Sequence, residues 1–253
     1  MENIEKSTLL TKNHLGKIQP DERDNERGYL EAVKAFSRLT YESIYVIDYE
    51  SMSFEYVSEN PLFLCGYSSA EVMAMGYEFY FKNVPESDLN LLHMINEAGF
   101  DFFAGLRRDE RILYSITYDF HLRNREGKNV LINHKLTPLL LTSAGKMWKA
   151  MCKVSISHHR NPGNVYIYRQ GSDIIWEFDL KERVWRKLEK PKLTKREVEV
   201  LHLYARGLSI SEIAEVLSVT VDTVKYYRRQ IFDRLNVGTI AEALAFAVNS
   251  KIV

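Results

Sequence analysis

The feature that most constrains this chain is a helix-start signature that recurs within its last sixty residues. Thr194-Lys195-Arg196-Glu197 and Ser209-Ile210-Ser211-Glu212 both have the S/T-x-x-E form. In that form the hydroxyl accepts from the third helical amide while the glutamate reaches back to the cap. Thr220 offers a third N-cap ahead of residues 221–235. Gly207 precedes the second signature, and glycine takes the left-handed conformation that ends a helix at least cost. One helix therefore stops near Arg206 and another starts about two or three residues later. Three helices in about 42 residues, joined by short turns, make a helix-turn-helix plan.

The apolar residues agree with that plan. Ile213, Ala214 and Leu217 give the short second helix one greasy face. With Val224 at zero on a wheel of about 100° per residue, Ile231 and Leu235 fall within about 20°, while Lys225, Arg229 and Tyr226 fall near 100°, 140° and 200°. The first stripe packs inward. The second, carrying Asp222, Lys225, Tyr226 and Arg229, stays free to enter a major groove, where Arg or Lys donates to guanine O6 and N7. Lys195, Arg206 and Arg234 are placed for phosphates, which fix register without reading sequence. The amides at the Thr220 helix start suit a further phosphate, and Thr223 and Arg228 join this set. Arg228, near 40° on the wheel, must either snorkel or reach a phosphate.

The run LTKREVEVLHLYARGLSISEIAEVLSVTVDTVKYYRRQIFDRLNV resembles the LuxR-type (GerE-like) helix-turn-helix family over about 60 residues. Matches include Leu193, Thr194, Glu197, Gly207, Glu212, Ile213, Ala214, Val224, Lys225, Ile231 and Leu235. The resemblance implies that the third helix reads DNA and that Lys225, Tyr226 and Arg229 face the bases. It also implies that a fourth helix, apolar almost all round, pairs two subunits through Ile240, Leu244 and Val248, so the operator is expected to be a two-fold site with half-sites about one turn apart. Tyr227 stands where the family usually has His, and Arg228 where it usually has a small apolar residue.

Upstream the periodicity is of another kind. Residues 1–25 are polar and lead into a charge run ending at Arg27, after which Tyr29, Leu30, Val33, Phe36 and Leu39 recur at helical spacing. That amphipathic helix is expected to lie against a neighbouring domain or its twin. From Ser43 the pattern turns to strands: residues 44–47, 54–57, 112–123, 130–141 and 147–156, with short helices between the second and third, started by Ser69 and Ser87. The stretch FEYVSENPLFLCGYSSAEVMAM followed by VPESDLNLL resembles a PAS domain over residues 40–158. This implies a five-stranded antiparallel sheet with helices over one face, able to hold a small molecule or dock a partner. Residues 159–190 read as a connecting hairpin, and Pro191 marks the start of the last domain. The expected fold is thus an α+β PAS-like sheet domain followed by a small all-α, four-helix DNA-binding domain over residues 191–253.

Composition closes off other classes. Net charge is zero, with 34 basic and 34 acidic residues, but from Glu189 onward ten Lys and Arg stand against eight Asp and Glu. No apolar run approaches the roughly 18 residues needed to cross a bilayer, and the start of the chain has no secretory signal pattern, so a cytoplasmic protein without membrane contact is expected. Cys65 and Cys152 stand 87 positions apart with no ligand spacing around them, and read as reduced core thiols. His158 and His159 are expected to point oppositely if strand alternation holds there. No metal, no cofactor and no catalytic motif is indicated. The expected function is a sequence-specific DNA-binding transcriptional regulator, not an enzyme, dimeric on double-stranded DNA. A small molecule in the PAS-like unit and RNA polymerase are further partners left open. A sigma-factor-like promoter binder is the alternative, and a haem or cofactor sensor built on His93 a remoter one.

Overall fold

The computed structural model describes residues 28–249 together with Lys12. The polar segment read at residues 1–27, Lys12 apart, lies outside the described residues. The chain divides at Leu188/Glu189 into two compact units.

The first unit is built on one sheet. Its strands are β1 (Ser43–Asp48), β2 (Ser53–Val57), β3 (Tyr114–Arg123), β4 (Asn129–Leu141), β5 (Met147–Ile156), β6 (Gly163–Arg169), β7 (Ile174–Asp179) and β8 (Val184–Glu189), ordered β2-β1-β5-β4-β3-β6-β7-β8. The first five form the antiparallel PAS-like sheet that the resemblance implied. Strand β1 reads as an unbroken apolar run because both faces of the sheet are covered: Tyr45 and Ile47 point to one core, Ile44 and Val46 to another. Pro138 sits inside β4 where the register with β5 shifts, a position that spares the sheet a missing donor.

One face carries α2 (Pro61–Leu64), α3 (Ser69–Met75), α4 (Glu78–Asn83) and α5 (Glu86–Gly105). The other carries α1 (Tyr29–Leu39), which buries Val33 against Ile44 and Val46. That contact contributes about 1.5–3 kcal/mol for the Val side chain. Helix α1 is also tied down by the Tyr29 hydroxyl donating to Glu55 and by a 2.6 Å hydrogen bond between the Ser37 and Tyr56 hydroxyls. It therefore packs on its own sheet, and leaves Leu39 and, less so, Phe36 exposed.

Three local expectations shift. The cap of α3 is Ser68, in a full capping box with Glu71, one residue before Ser69. Ser87 is not a cap: α5 starts directly after Pro85, and Ser87 donates to Asp88 instead. Helix α5 also runs for 20 residues through Gly99, which looked like a break. A Cβ at Gly99 would stand 3.1 Å from the Ile116 Cδ1 on β3, so the glycine lets helix and sheet approach closely.

Residues 163–189, expected as a linking hairpin, lengthen the sheet by three strands. The reason is apolar packing: Phe178 and Trp185 lie with ring centroids 4.9 Å apart, and the Trp185 indole donates to the Ala98 carbonyl of α5 at 3.3 Å. Strand alternation does not govern His158 and His159 either, because β5 ends at Ile156. Their rings lie 3.9 Å apart, and His159 Nδ1 sits 2.5 Å from the buried Asp119 carboxylate.

Inside this unit a run of polar atoms crosses the core. The Tyr45 hydroxyl lies 2.6 Å from the Tyr80 hydroxyl and 2.6 Å from His134 Nε2.

Candidate nucleic-acid interface

The second unit contains α6 (Lys195–Ala205), α7 (Ile210–Leu217), α8 (Val221–Leu235) and α9 (Ile240–Asn249). Each of the first two starts on the capping box visible in the sequence. Thr194 Oγ1 accepts from the Glu197 amide at 3.3 Å, and the Thr194 amide donates to Glu197 Oε2 at 2.7 Å. Ser209 and Glu212 repeat this at 3.3 and 2.7 Å. Helix α6 ends through Gly207 at φ +84°, with the Leu208 amide returning to the Leu203 carbonyl at 3.2 Å, the closure a left-handed residue permits. Thr220 caps α8 by accepting from the Thr223 amide at 3.2 Å. Asn236 ends α8 in the left-handed conformation.

The inward stripe is as expected. Val224 and Ile231 are fully buried and Leu235 nearly so, packed with Val200, Leu201, Ile213, Ala214 and Leu217. On the opposite side of α8, Lys225, Tyr226 and Arg229 are exposed, Tyr226 at 58% and the Arg229 side chain at 81%. Three residues of the types that read bases therefore share one outward stripe. Their charge is partly answered on the same helix, since Lys225 Nζ lies 3.0 Å from Asp222 and Arg229 Nε 3.9 Å from Asp233. All four side chains are solvated, and such pairs contribute little and yield readily to a stronger anion.

Of the residues expected at phosphates, Lys195 and Arg206 are exposed at the two ends of α6. Thr220 and Thr223 are joined by a 2.8 Å hydroxyl contact at the start of α8. Arg234 has a different job: its Nε donates at 3.0 Å to Glu197 Oε1, and the Glu197 side chain is only 3% exposed. One carboxylate thus both caps α6 and anchors the end of α8. Nothing in the local pattern revealed this, because the partners stand 37 positions apart.

The two departures from the family pattern are accounted for together. Arg228 is half-buried and lies beside the Tyr204 phenol, whose pKa is raised by burial and drawn back by that guanidinium. Tyr227 lies beside Arg196, a guanidinium held above its ordinary range chiefly by Glu199 and also by this phenol. Arg196 in turn donates to the Leu217 carbonyl at 3.0 Å, closing the end of α7. Both odd residues on α8 therefore lean on α6.

In α9, Ala243 and Ala247 are fully buried, Ile240 and Leu244 half-buried, and Val248 is 68% exposed. A further cap was overlooked in the sequence: Thr239 Oγ1 accepts from the Glu242 amide at 3.1 Å, and Thr239-Ile240-Ala241-Glu242 is another T-x-x-E. Also overlooked were Val216 and Val221, at the end of α7 and the start of α8, which are exposed at 58% and 37%.

Capped helices around one small core, with the third presenting a cationic and aromatic stripe, define a helix-turn-helix DNA-binding domain. More particularly, residues 191–247 match the family described as GerE, bacterial regulatory proteins of the luxR family, and this unit is a luxR-family domain. Among curated proteins, the chain is 39% identical over 150 residues to the oxygen regulatory protein NreC of Staphylococcus carnosus (strain TM300), covering 57% of this chain and 65% of that one. The chain thus spans somewhat less than two thirds of that relative. Among solved structures, the phage VqmA-DPO complex aligns over 92% of both chains at 16% identity and TM-score 0.33. The PAS domain of a protein from Colwellia psychrerythraea aligns with 53% of this chain and all of its own at 14% identity and TM-score 0.39. No helix among the described residues is long and apolar enough to cross a membrane.

Proposed function

We propose that this chain is a sequence-specific DNA-binding transcriptional regulator whose PAS-like unit senses a ligand or partner and modulates its grip on the duplex. The observation that carries the reading is the outward stripe of α8, with Lys225, Tyr226 and Arg229 exposed on the side opposite the buried Val224, Ile231 and Leu235. Helix α8 enters the major groove. Lys225 and Arg229 donate to guanine edges and Tyr226 lies against the adjoining base or sugar, while the exposed methyls of Val221 meet a thymine methyl.

Lys195, Arg206, Thr220 and Thr223 hold the flanking phosphates and set the register. Arg228 and Arg234 keep guanidinium donors toward the backbone while serving Tyr204 and Glu197. Two copies pair through Ile240, Leu244 and Val248, so the site is two-fold, with half-sites about one helical turn apart.

The test is a titration of the full chain with a library of duplexes at several salt concentrations. The expected result is a steep fall of affinity with salt and enrichment of a two-fold sequence. Affinity that ignores salt, or no enrichment, would overturn the reading.

A further inference from the structure

The sheet unit encloses a chamber of about 380 Å³ lined among others by Tyr77, Tyr80, Tyr118, Asn96 and His134. A second cleft of about 520 Å³, against α5 and β3, shares Tyr49, Asn96, Tyr118 and Leu136 with it, so the two are contiguous. No Lys, Arg, Asp or Glu lines either space.

Two buried polar atoms among the lining residues have no hydrogen-bond partner among the described residues: the Tyr77 hydroxyl and His134 Nδ1. Tyr77 is 6% exposed and His134 1%. An orphaned buried donor or acceptor costs about 1–3 kcal/mol, so two on one chamber mark a place where partners are missing. The other face of the imidazole is occupied, since Nε2 meets the Tyr45 hydroxyl, which meets that of Tyr80. This gives the relay two polarities. If Tyr45 donates to Nε2, then Nδ1 carries the proton and donates. If Nε2–H donates to Tyr45, then Nδ1 accepts and the Tyr80 hydroxyl proton is released to point elsewhere. Burial holds the His134 pKa down at about 3, so at neutral pH the ring offers one of these two neutral forms.

We propose that this chamber takes one uncharged, ring-sized, mostly apolar molecule bearing a single hydroxyl-type polar edge, which pairs with Tyr77 and His134. Charge is excluded because an ion here would lose its hydration and find no counter-charge on the walls. The polar edge is required because an entirely apolar guest would leave both orphaned groups unanswered. The inference rests on the reading of the sheet unit as a sensor and specifies its ligand class.

The full chain is titrated calorimetrically with four probes of one size: p-cresol, toluene, benzoate and benzylammonium. The expected result is that p-cresol binds about tenfold or more tighter than toluene, while neither ion binds. Tyr77→Phe and His134→Phe should each weaken p-cresol severalfold and leave toluene unchanged. Retained toluene binding shows that a variant is folded, and should His134→Phe lose both guests, Tyr77→Phe decides alone. Equal binding of p-cresol and toluene, binding of either ion, or no binding of p-cresol overturns the proposal. Duplex affinity measured with the same probes separates the two ideas. Tight p-cresol binding with unaltered DNA affinity supports the chamber and defeats the sensor reading. DNA affinity that responds to benzoate or benzylammonium, but not to p-cresol, defeats the chamber chemistry alone.

Discussion

The two units of this molecule satisfy their polar groups over different distances along the chain. In the helical unit the amides at the starts of α6, α7 and α8 are met by hydroxyls or carboxylates three residues away. In the sheet unit Tyr45 finds its partners 35 and 89 residues away, and the Asp88 carboxylate accepts from the His121 amide across 33. Local pairing lets a small helical domain set its own boundaries, whereas distant pairing makes the sheet unit's polar core a product of the whole fold. The one long-range pair in the helical set, Glu197 with Arg234, is where the contrast is most easily broken.

Arg234→Ala is expected to have the largest effect, a loss of about 2–3 kcal/mol from the helical unit, because it leaves the buried Glu197 carboxylate without its cation. The readout separates the units, since the three tryptophans, Trp148, Trp176 and Trp185, all lie in the sheet unit. Helical circular dichroism should melt earlier while tryptophan fluorescence holds. If both signals stand firm and only DNA affinity falls, Arg234 serves phosphate alone.

Arg229→Ala comes next. It should cost about 1–3 kcal/mol on the cognate site and relax preference at one base pair, with no change in melting. Arg206→Ala should instead weaken all duplexes alike and lower the salt slope by about one. Equal loss on cognate and random DNA for Arg229→Ala would move it from base to backbone.

The third effect belongs to the sheet unit. Burial lowers the folded pKa of His134 to about 3, below its unfolded value of about 6.5. The unfolded chain therefore binds the extra proton first, so stability is unaffected above pH 6.5 and falls as the pH drops from there toward 3. The slope is about 1.4 kcal/mol per pH unit, read by urea unfolding followed through tryptophan fluorescence at pH 7.5 and 5.5. His134→Phe should flatten that slope. An unchanged slope would show that the imidazole is not the group responsible.

Asp222→Asn should produce the smallest change, a gain of a few tenths of a kcal/mol in DNA affinity, because Lys225 is released from an exposed partner. Affinity that falls would mean Asp222 itself meets the DNA.

The same contrast explains what could be read from the amino acids alone. Capping boxes, Gly207 and the Val224, Ile231, Leu235 stripe are patterns within one or two turns, so the helical unit and its outward face were legible. The five PAS-like strands were legible for a similar reason, since their apolar runs and turns are local. Strands β6 to β8 were mistaken for a linker because what recruits them is the Trp185 bond to Ala98, 87 residues back. Helix α5 looked shorter than it is because Gly99 answers to Ile116 on a strand rather than to its own helix. The double use of Glu197, and the orphaned atoms of Tyr77 and His134, arise only after folding brings distant segments together.

The coupling of Tyr227 to Arg196 and of Arg228 to Tyr204 has a practical corollary for anyone wishing to retarget this protein. Helix α8 is not a free-standing cassette. Grafting a relative's version with His and a small apolar residue at those positions would strand a guanidinium and a phenol on α6, so a working chimera must exchange α6 and α8 as a matched set.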